Sequence, residues 1–243
     1  MTDPTAAAFE AELRGRSDPD DAAQLQRYFK TGPGEYGEGD RFLGVRMSAV
    51  SAMAKRYRGM PLGELETLLD SGWHECRAGA LTIMDAEARS KRLEPQRRTA
   101  LFDLYLRRHD RINNWDLVDC ACRSVLGIEL LDKPRDVLYR LAASTNLWER
   151  RTAIVTCWTF IRAGQTDDAI AISELLLQDA EDLIHKATGW MLRTIGDVDR
   201  PVLLAFLEQH AATMPRTTLR YAIEKLPPDE RKDWLGRRAL ARE

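Results

Sequence analysis

The sequence has little cysteine, little histidine and no long apolar run. Its four cysteines, Cys76, Cys120, Cys122 and Cys157, show no CxxC spacing, and its four histidines form no HExxH or similar pair. We therefore expect reduced, buried thiols, no metal site, no cofactor and no histidine-based catalytic pair. The longest apolar runs fall short of the roughly 18 residues that a membrane-spanning helix needs. The sequence predicts neither membrane insertion nor export, and we expect the protein in the cytoplasm.

A strong excess of either charge sign is also absent. The 36 lysines and arginines are nearly matched by 38 aspartates and glutamates, which gives a formal net charge of −2. The strongly basic surface that is usual for indiscriminate nucleic-acid binding is therefore not predicted. Positive charge can still be concentrated on one face, because arginines are plentiful and a phosphate responds to their local arrangement.

What the sequence has in abundance is helical periodicity. After residue 45, apolar residues recur at three- and four-residue spacing, and no stretch alternates as a strand would. Breaks with glycine or proline separate helices of roughly 10 to 16 residues. These breaks fall at 59–61, 71–72, 93–95, 133–134, 163–164, 196, 214–215 and 227–228. The sequence predicts an all-α protein with one domain over 1–243. Its N-terminal section (1–45) contains helices and a glycine-rich loop (31–39), and a repeat stack (46–243) follows.

A weak internal repeat follows the later predicted helices. Similar four-residue groups begin at Arg77, Arg151, Lys186 and Arg220, and the last three of these residues are 35 and 34 positions apart. This period fits stacked helical hairpins, an α-solenoid in which equivalent positions line a common concave face. Asp119 occupies the equivalent place between Arg77 and Arg151. One carboxylate in a row of basic residues is a candidate catalytic centre.

The segment around Asp119 adds an aromatic side chain to this carboxylate. Trp115 stands four residues before Asp119, so the two residues share one face of the predicted helix. Trp148 and Trp190 accompany the basic residues of two later helices. Aromatic surface, a carboxylate and a guanidinium together predict a cationic, phosphate-bearing ligand. The alternative is that each tryptophan belongs to the core and each arginine to a salt bridge.

Five segments, taken in order, carry a resemblance to one known family: Arg27-Tyr28-Phe29-Lys30, Phe42-Leu43-Gly44-Val45, Asn114-Trp115-Asp116-Leu117-Val118-Asp119, Trp148-Glu149-Arg150-Arg151-Thr152-Ala153-Ile154 and Lys186-Ala187-Thr188-Gly189-Trp190-Met191-Leu192-Arg193. They resemble the DNA alkylation-repair glycosylases of AlkD type, over most of the chain. The resemblance implies a superhelical stack of HEAT-like helix pairs that cradles duplex DNA. It also implies excision of N3- and N7-alkylated purines, such as 3-methyladenine and 7-methylguanine, which leaves an abasic site.

The same resemblance implies roles for individual residues. Asp119 matches the family's catalytic aspartate, Trp115 and Trp190 match its cleft tryptophans, and Arg151 matches its cleft arginine. Tyr28 matches an N-terminal tyrosine near the lesion strand. We expect the catalytic site to consist of Asp119, Trp115, Arg151 and Trp190. We expect DNA contacts from Tyr28, Lys30, Arg150, Lys186, Arg193 and Arg220. We also expect a monomer with no obligate protein partner.

The residue types suit base excision. A purine alkylated at N3 or N7 carries a formal positive charge, so it leaves as a neutral base without a general acid. One carboxylate can then stabilise the oxocarbenium-like sugar, and the reaction needs no metal. No nucleophilic lysine for lyase chemistry is identifiable, so the predicted enzyme is monofunctional. Two alternatives stay open, namely a non-catalytic helical-repeat protein that recognises damaged or branched DNA, and a scaffold that binds a peptide.

Overall fold

The regular structure of the chain is helical. The computed structural model describes the backbone of residues 4–240 and the side chains of residues 4–237. Across that range, an isolated bridge between Arg41 and Trp73 is the only β-type pairing. The all-α prediction is therefore confirmed. None of the helices described is long and apolar enough to cross a bilayer.

Fourteen α-helices occupy the described part of the chain: α1 (Ala6–Arg14), α2 (Pro19–Tyr28), α3 (Met47–Arg56), α4 (Leu62–Leu69), α5 (His74–Ala88), α6 (Pro95–Arg107), α7 (Trp115–Val125), α8 (Asp136–Ala142), α9 (Leu147–Arg162), α10 (Asp167–Leu175), α11 (Asp182–Val198), α12 (Arg200–His210), α13 (Arg216–Ala222) and α14 (Pro228–Leu240). A 3₁₀-helix, His109–Arg111, lies between α6 and α7.

The chain divides into two compact units, Met1–Glu129 and Leu130–Glu243. The first unit contains α1 to α7, and the second contains α8 to α14. The predicted N-terminal section over 1–45 corresponds to α1, α2 and the loop before α3. The prediction that residues 1–243 form one domain is not tested by this division and stays a prediction.

The first unit is built around α5. Helices α3, α5 and α7 form a row of neighbours, while α4 and α6 pack against α5 and α1 packs against α4 and α5. Because α5 is surrounded in this way, residues on every side of it are buried, including the fully buried Leu81 and Ile83. The row brings the first turn of α5 next to the first turn of α7.

A buried carboxylate fixes the segment between the glycine-rich loop and α3. Glu75, which is 1% exposed, accepts hydrogen bonds from the backbone N–H groups of Leu43, Gly44 and Val45 at 2.9–3.1 Å. Gly44 has φ +84°, and a Cβ atom there would lie 2.0 Å from the carbonyl oxygen of Asp18. Only glycine therefore allows α2, which follows Asp18, to pack so closely against this segment.

The second unit repeats one packing pattern. Helices α9, α11 and α13 form its row, with α8 and α10 against α9, and α10 and α12 against α11. At the contact between α11 and α13, a Cβ atom on Gly189 would lie 2.5 Å from Cβ of Tyr221. The three positions of the sequence repeat that lie in this unit are structurally equivalent, because Arg151, Lys186 and Arg220 are each the fifth residue of their helix.

Seven of the eight predicted breaks lie between helices or at the first residue of one. The prediction of a break at Gly196 is wrong, because α11 continues to Val198 and the chain turns at Asp199. Gly196 instead makes room for a neighbouring helix, since a Cβ atom there would lie 2.5 Å from Cδ2 of Leu203 in α12. A packing glycine and a helix-ending glycine look alike in a single sequence.

Candidate functional site

The candidate site in the first unit begins where α7 starts. Oδ1 of Asn114 accepts a hydrogen bond from the backbone N–H of Trp115 at 2.8 Å and so caps the helix. The side-chain amide of Asn114 is fully buried and donates to Oδ2 of Asp40 at 3.1 Å. Trp115 is the first residue of α7, and Asp119 follows one turn later on the same face. The side chains of Trp115 and Asp119 are both half-buried.

Trp115 belongs to an aromatic cluster formed with Tyr28, Phe29, Phe42 and His74. The rings of Phe29 and Trp115 stack with centroids 5.4 Å apart, and Tyr28 meets Trp115 edge-on at 6.1 Å. Phe29 and Phe42 are buried, whereas Tyr28 is 64% exposed. The buried rings thus support an outer aromatic surface, and this surface brings together two predicted site residues, Tyr28 and Trp115.

The glycine-rich loop contributes Tyr36 to the edge of this cluster. The hydroxyl of Tyr36 donates to the backbone oxygen of Tyr28 at 3.4 Å, and the ammonium of Lys30 lies 5.9 Å from the centre of the Tyr36 ring. Burial raises the pKa of Tyr36 above its ordinary value. Lys30, a predicted DNA contact, is exposed and has φ +52° at the start of the loop.

Behind the aromatic cluster lies a group of buried charges that the sequence analysis did not find. His74, the first residue of α5, is 2% exposed, and its two ring nitrogens face carboxylates. Nδ1 lies 3.0 Å from Oδ2 of Asp40, and Nε2 lies 2.8 Å from Oδ2 of Asp116. Arg77 donates to the other oxygen of Asp40. No motif marks this group, because Asp40, His74 and Asp116 come from three separate segments.

The two carboxylates keep His74 charged at neutral pH. Burial by itself lowers the pKa of His74, but the charges and hydrogen bonds of Asp116 and Asp40 outweigh burial and raise the pKa to about 9. Burial raises the pKa of Asp40, but His74, Arg77 and Asn114 together bring it below its ordinary value. Asp40 is therefore ionised at neutral pH beside an imidazolium.

In the second unit, Arg151 is almost fully buried. Its side chain lies on α9, the residue is 5% exposed, and Nη1 donates to the backbone oxygen of Leu183 at 2.7 Å. Leu183 lies in the first turn of α11, so this hydrogen bond joins two helices of the row. Arg151 accordingly contributes to packing, and its catalytic role stays a prediction.

Three of the predicted DNA contacts are engaged in ion pairs. Arg150 pairs with Asp179, Lys186 pairs with Asp182 at 2.7 Å, and Arg193 pairs with Glu224. A bound phosphate would compete with these carboxylates for the same donors. Arg220, on α13, is exposed. Contact of these residues with DNA stays a prediction.

The three tryptophans grouped in the sequence differ in exposure. Trp115 and Trp190 are half-buried, on α7 and α11 respectively. Trp148 is 8% exposed and belongs to the core of the second unit, as the alternative interpretation held. The site candidates are thus distributed over both units, with Trp115 and Asp119 in the first and Arg151 and Trp190 in the second.

Comparison with known proteins gives a consistent result. Residues 9–226 match the model of a family described as DNA alkylation repair enzyme. A solved structure of a predicted DNA alkylation repair enzyme from Enterococcus faecalis is similar, with a TM-score of 0.67 and 18% sequence identity. The match covers 87% of this chain and 97% of that chain, and it shows a shared fold. No curated protein matches the chain.

Proposed function

Because this chain belongs to the DNA alkylation repair enzyme family, we propose that it is a DNA glycosylase of AlkD type. It hydrolyses the N-glycosidic bond of N3- and N7-alkylated purines in duplex DNA and leaves an abasic site. The observation that carries this proposal is the pairing of Trp115 with Asp119 on one face of α7, beside the exposed Tyr28. The reaction is monofunctional and needs no metal.

The spacing of Trp115 and Asp119 suits a nucleotide. Four residues along an α-helix correspond to a rise of roughly 6 Å, so one nucleotide can contact both side chains. The indole face offers a cationic base or its deoxyribose an attraction of roughly 0.5 to 2 kcal/mol, depending on desolvation. The carboxylate one turn away then lies at the side of C1′, where positive charge develops as the base leaves.

Asp119 has two tasks in this proposal. Its negative charge stabilises the oxocarbenium-like sugar as the glycosidic bond breaks. It also orients the water whose oxygen bonds to C1′, and the proton that this water loses passes to the solvent. The departing purine takes the electrons of the glycosidic bond and becomes neutral. A purine alkylated at N3 or N7 needs no proton from the enzyme in order to leave, so a single carboxylate is sufficient for catalysis.

The second unit supplies the remaining proposed contacts. Trp190 presents a second aromatic face, and the guanidinium charge of Arg151 attracts a phosphate at the lesion. Arg150, Lys186, Arg193 and Arg220 bind the backbone together with Tyr28 and Lys30 of the first unit. Residue type and the resemblance support these contacts.

The test is release of free base from methylated duplex DNA, in the presence of chelator, by wild type and by Asp119→Asn. Removing the charge that stabilises the transition state should lower the single-turnover rate by about a hundredfold or more. Asp103→Asn, an exposed aspartate of α6, is the matched control and should release base normally. Circular dichroism checks the fold, and fluorescence polarisation checks the binding of lesion DNA.

The two alternatives predict different results in the same assay. A non-catalytic protein that recognises damaged or branched DNA would bind the duplex but release no base from either variant. Full activity of Asp119→Asn would show that another group performs the chemistry. DNA binding that is absent altogether, with capture of a peptide ligand, would favour the protein scaffold.

A further inference from the structure

Two acids and two bases fill the space behind Trp115. The exposed fractions of their side chains are 3% for Asp40, 2% for His74, 4% for Arg77 and 16% for Asp116. The four charges cancel only when His74 carries its second proton. A neutral His74 would leave an excess negative charge in a place with little access to water, which is unfavourable.

The geometry favours an imidazolium when both carboxylates are ionised. Both ring nitrogens of His74 lie within hydrogen-bond distance of a carboxylate oxygen, and an ionised carboxylate can only accept. A neutral imidazole has one N–H and would leave one nitrogen lone pair against an acid. Oδ1 of Asp116 is buried and has no hydrogen-bond partner among the described residues, so His74 supplies the main compensation for this carboxylate.

This cluster holds the start of α7 from two sides. His74 binds Asp116, the second residue of the helix, and Asp40 binds Asn114, the residue that caps it. Trp115 lies between these two attachment points. The backbone that carries the indole is therefore fixed by both carboxylates that His74 joins.

The imidazole ring also supports the indole through aromatic packing. His74 stacks on Phe42 with centroids 4.5 Å apart and lies 5.1 Å from Phe29. Phe29 in turn stacks on Trp115 at 5.4 Å. One side chain thus acts on Trp115 by two routes, through the helix start and through the ring behind it.

We propose that His74 is a positioning residue for base release, whose imidazolium holds Trp115 in the orientation that places the alkylated nucleotide against Asp119. The link to base release rests on the proposed function. The effect on Trp115 can be measured in the protein without DNA, so failure of this inference is distinguishable from failure of the proposed function.

Several other ionisable groups are close enough to influence a titration of this site. Asp40 faces His74 from the segment before α3, Asp116 faces it from α7, and Arg77 lies on the same helix and pairs with Asp40. Arg111 acts on Arg77, while Tyr36 of the loop interacts with Asp116 and Trp115. Tyr36 is the group most easily confused with His74 at alkaline pH.

The first experiment compares His74→Gln with His109→Gln. Glutamine keeps a hydrogen-bond donor and an acceptor but has no charge. His109 is a second buried histidine, which packs on Tyr105. We expect His74→Gln to shift the indole ¹H–¹⁵N resonance of Trp115, assigned with Trp115→Phe. We also expect it to lower the single-turnover rate of base release by about tenfold or more. His109→Gln should leave the resonance and the rate unchanged.

A charge-balancing variant separates positioning from general damage. In His74→Gln/Asp116→Asn the buried cluster is again neutral, so the Trp115 resonance should return towards its wild-type position and part of the rate should be recovered. Base release and a Trp115 resonance at wild-type values in His74→Gln would overturn the inference. Wild type that releases no base would overturn the proposed function, while the resonance comparison still decides whether His74 positions Trp115.

The wild-type protein gives a second measurement that needs no variant of His74. Imidazole ¹⁵N resonances report the ionisation of His74, and the Trp115 indole resonance should change over the same pH range. The comparison is repeated in Tyr36→Phe to remove the tyrosine. An indole resonance that stays constant while His74 loses its proton would overturn the inference even if His74→Gln does not fold.

Discussion

The charge cluster behind Trp115 in the first unit and the ion pair of Lys186 in the second unit lie in different environments. The first unit buries Asp40, His74 and Arg77 together, and a further acid, Glu75, is buried against the backbone of residues 43–45. The second unit has pairs that are more accessible, such as Lys186 with Asp182, whose side chains are 42% and 56% exposed. Buried pairs fix geometry, whereas exposed pairs can be exchanged for a phosphate at little cost.

This difference separates two requirements of the proposed reaction. An aromatic ring that must meet a sugar at a defined angle needs a support that does not move, and the first unit provides it beneath Trp115. Lysines and arginines that bind a phosphodiester backbone act mainly through their positive charge and need a less exact orientation. The second unit supplies several such residues. The comparison can be tested by removing one charge at a time.

The largest expected effect is on stability, from Asp40→Asn. This change leaves His74 and Arg77 buried with one acid fewer, and breaking a buried ion pair typically costs about 3 to 5 kcal/mol. Asp182→Asn in the second unit removes an exposed acid and should cost about 0.5 kcal/mol. Urea unfolding measures both free energies, and equal losses would contradict the difference between the buried cluster and the exposed pair.

The next effect is the pH dependence of stability. The pKa of His74 is raised from 6.5 to about 9 on folding, so its contribution is complete below pH 6.5 and is lost as pH rises through about 9. The shift corresponds to roughly 3 kcal/mol. Urea midpoints of wild type should fall between pH 6.5 and 9, while those of His74→Gln should change less. Parallel curves would show that His74 is not the group responsible.

The smallest effect concerns DNA binding by the second unit. Arg220 is exposed, whereas Arg193 is paired with Glu224. Arg220→Ala should therefore weaken binding across sequences and reduce the slope of log K against log salt by about one. Arg193→Ala should change the slope less, because Glu224 competes with a phosphate for this arginine. Fluorescence polarisation at several salt concentrations provides the slopes, and an unchanged slope for Arg220→Ala would exclude a phosphate contact there.

Much of the fold was predictable because helix periodicity and glycine or proline breaks are local signals. Seven breaks were located correctly, and the repeat positions Arg151, Lys186 and Arg220 occupy equivalent places in their helices. Gly196 shows the limit of such signals, because its role depends on Leu203 in the next helix. The division near residue 130 depends on long-range packing, and periodicity does not report it.

The candidate site was predictable only in part. The placement of Trp115 and Asp119 on one face of a helix was predictable because their spacing is visible in the sequence. The contact of Trp115 with Tyr28 joins distant segments, and the resemblance rather than any spacing singled out Tyr28. His74 was missed because its partners, Asp40 and Asp116, are 34 and 42 residues away in the chain. No local sequence motif contains any two of these three residues. The two carboxylates that give this histidine its charge are brought next to it only by the packing of three separate segments.

The hydrogen bond between Asp40 and Asn114 joins residues that are 74 positions apart in the chain. Contacts that close such long loops carry a large entropic cost and tend to form slowly. The cap of α7 therefore depends on one of the most distant contacts described in the first unit, and we expect the helix start that carries Trp115 to become ordered late in folding. We therefore expect a newly synthesised chain to form most of its helices before the candidate site around Trp115 is in place.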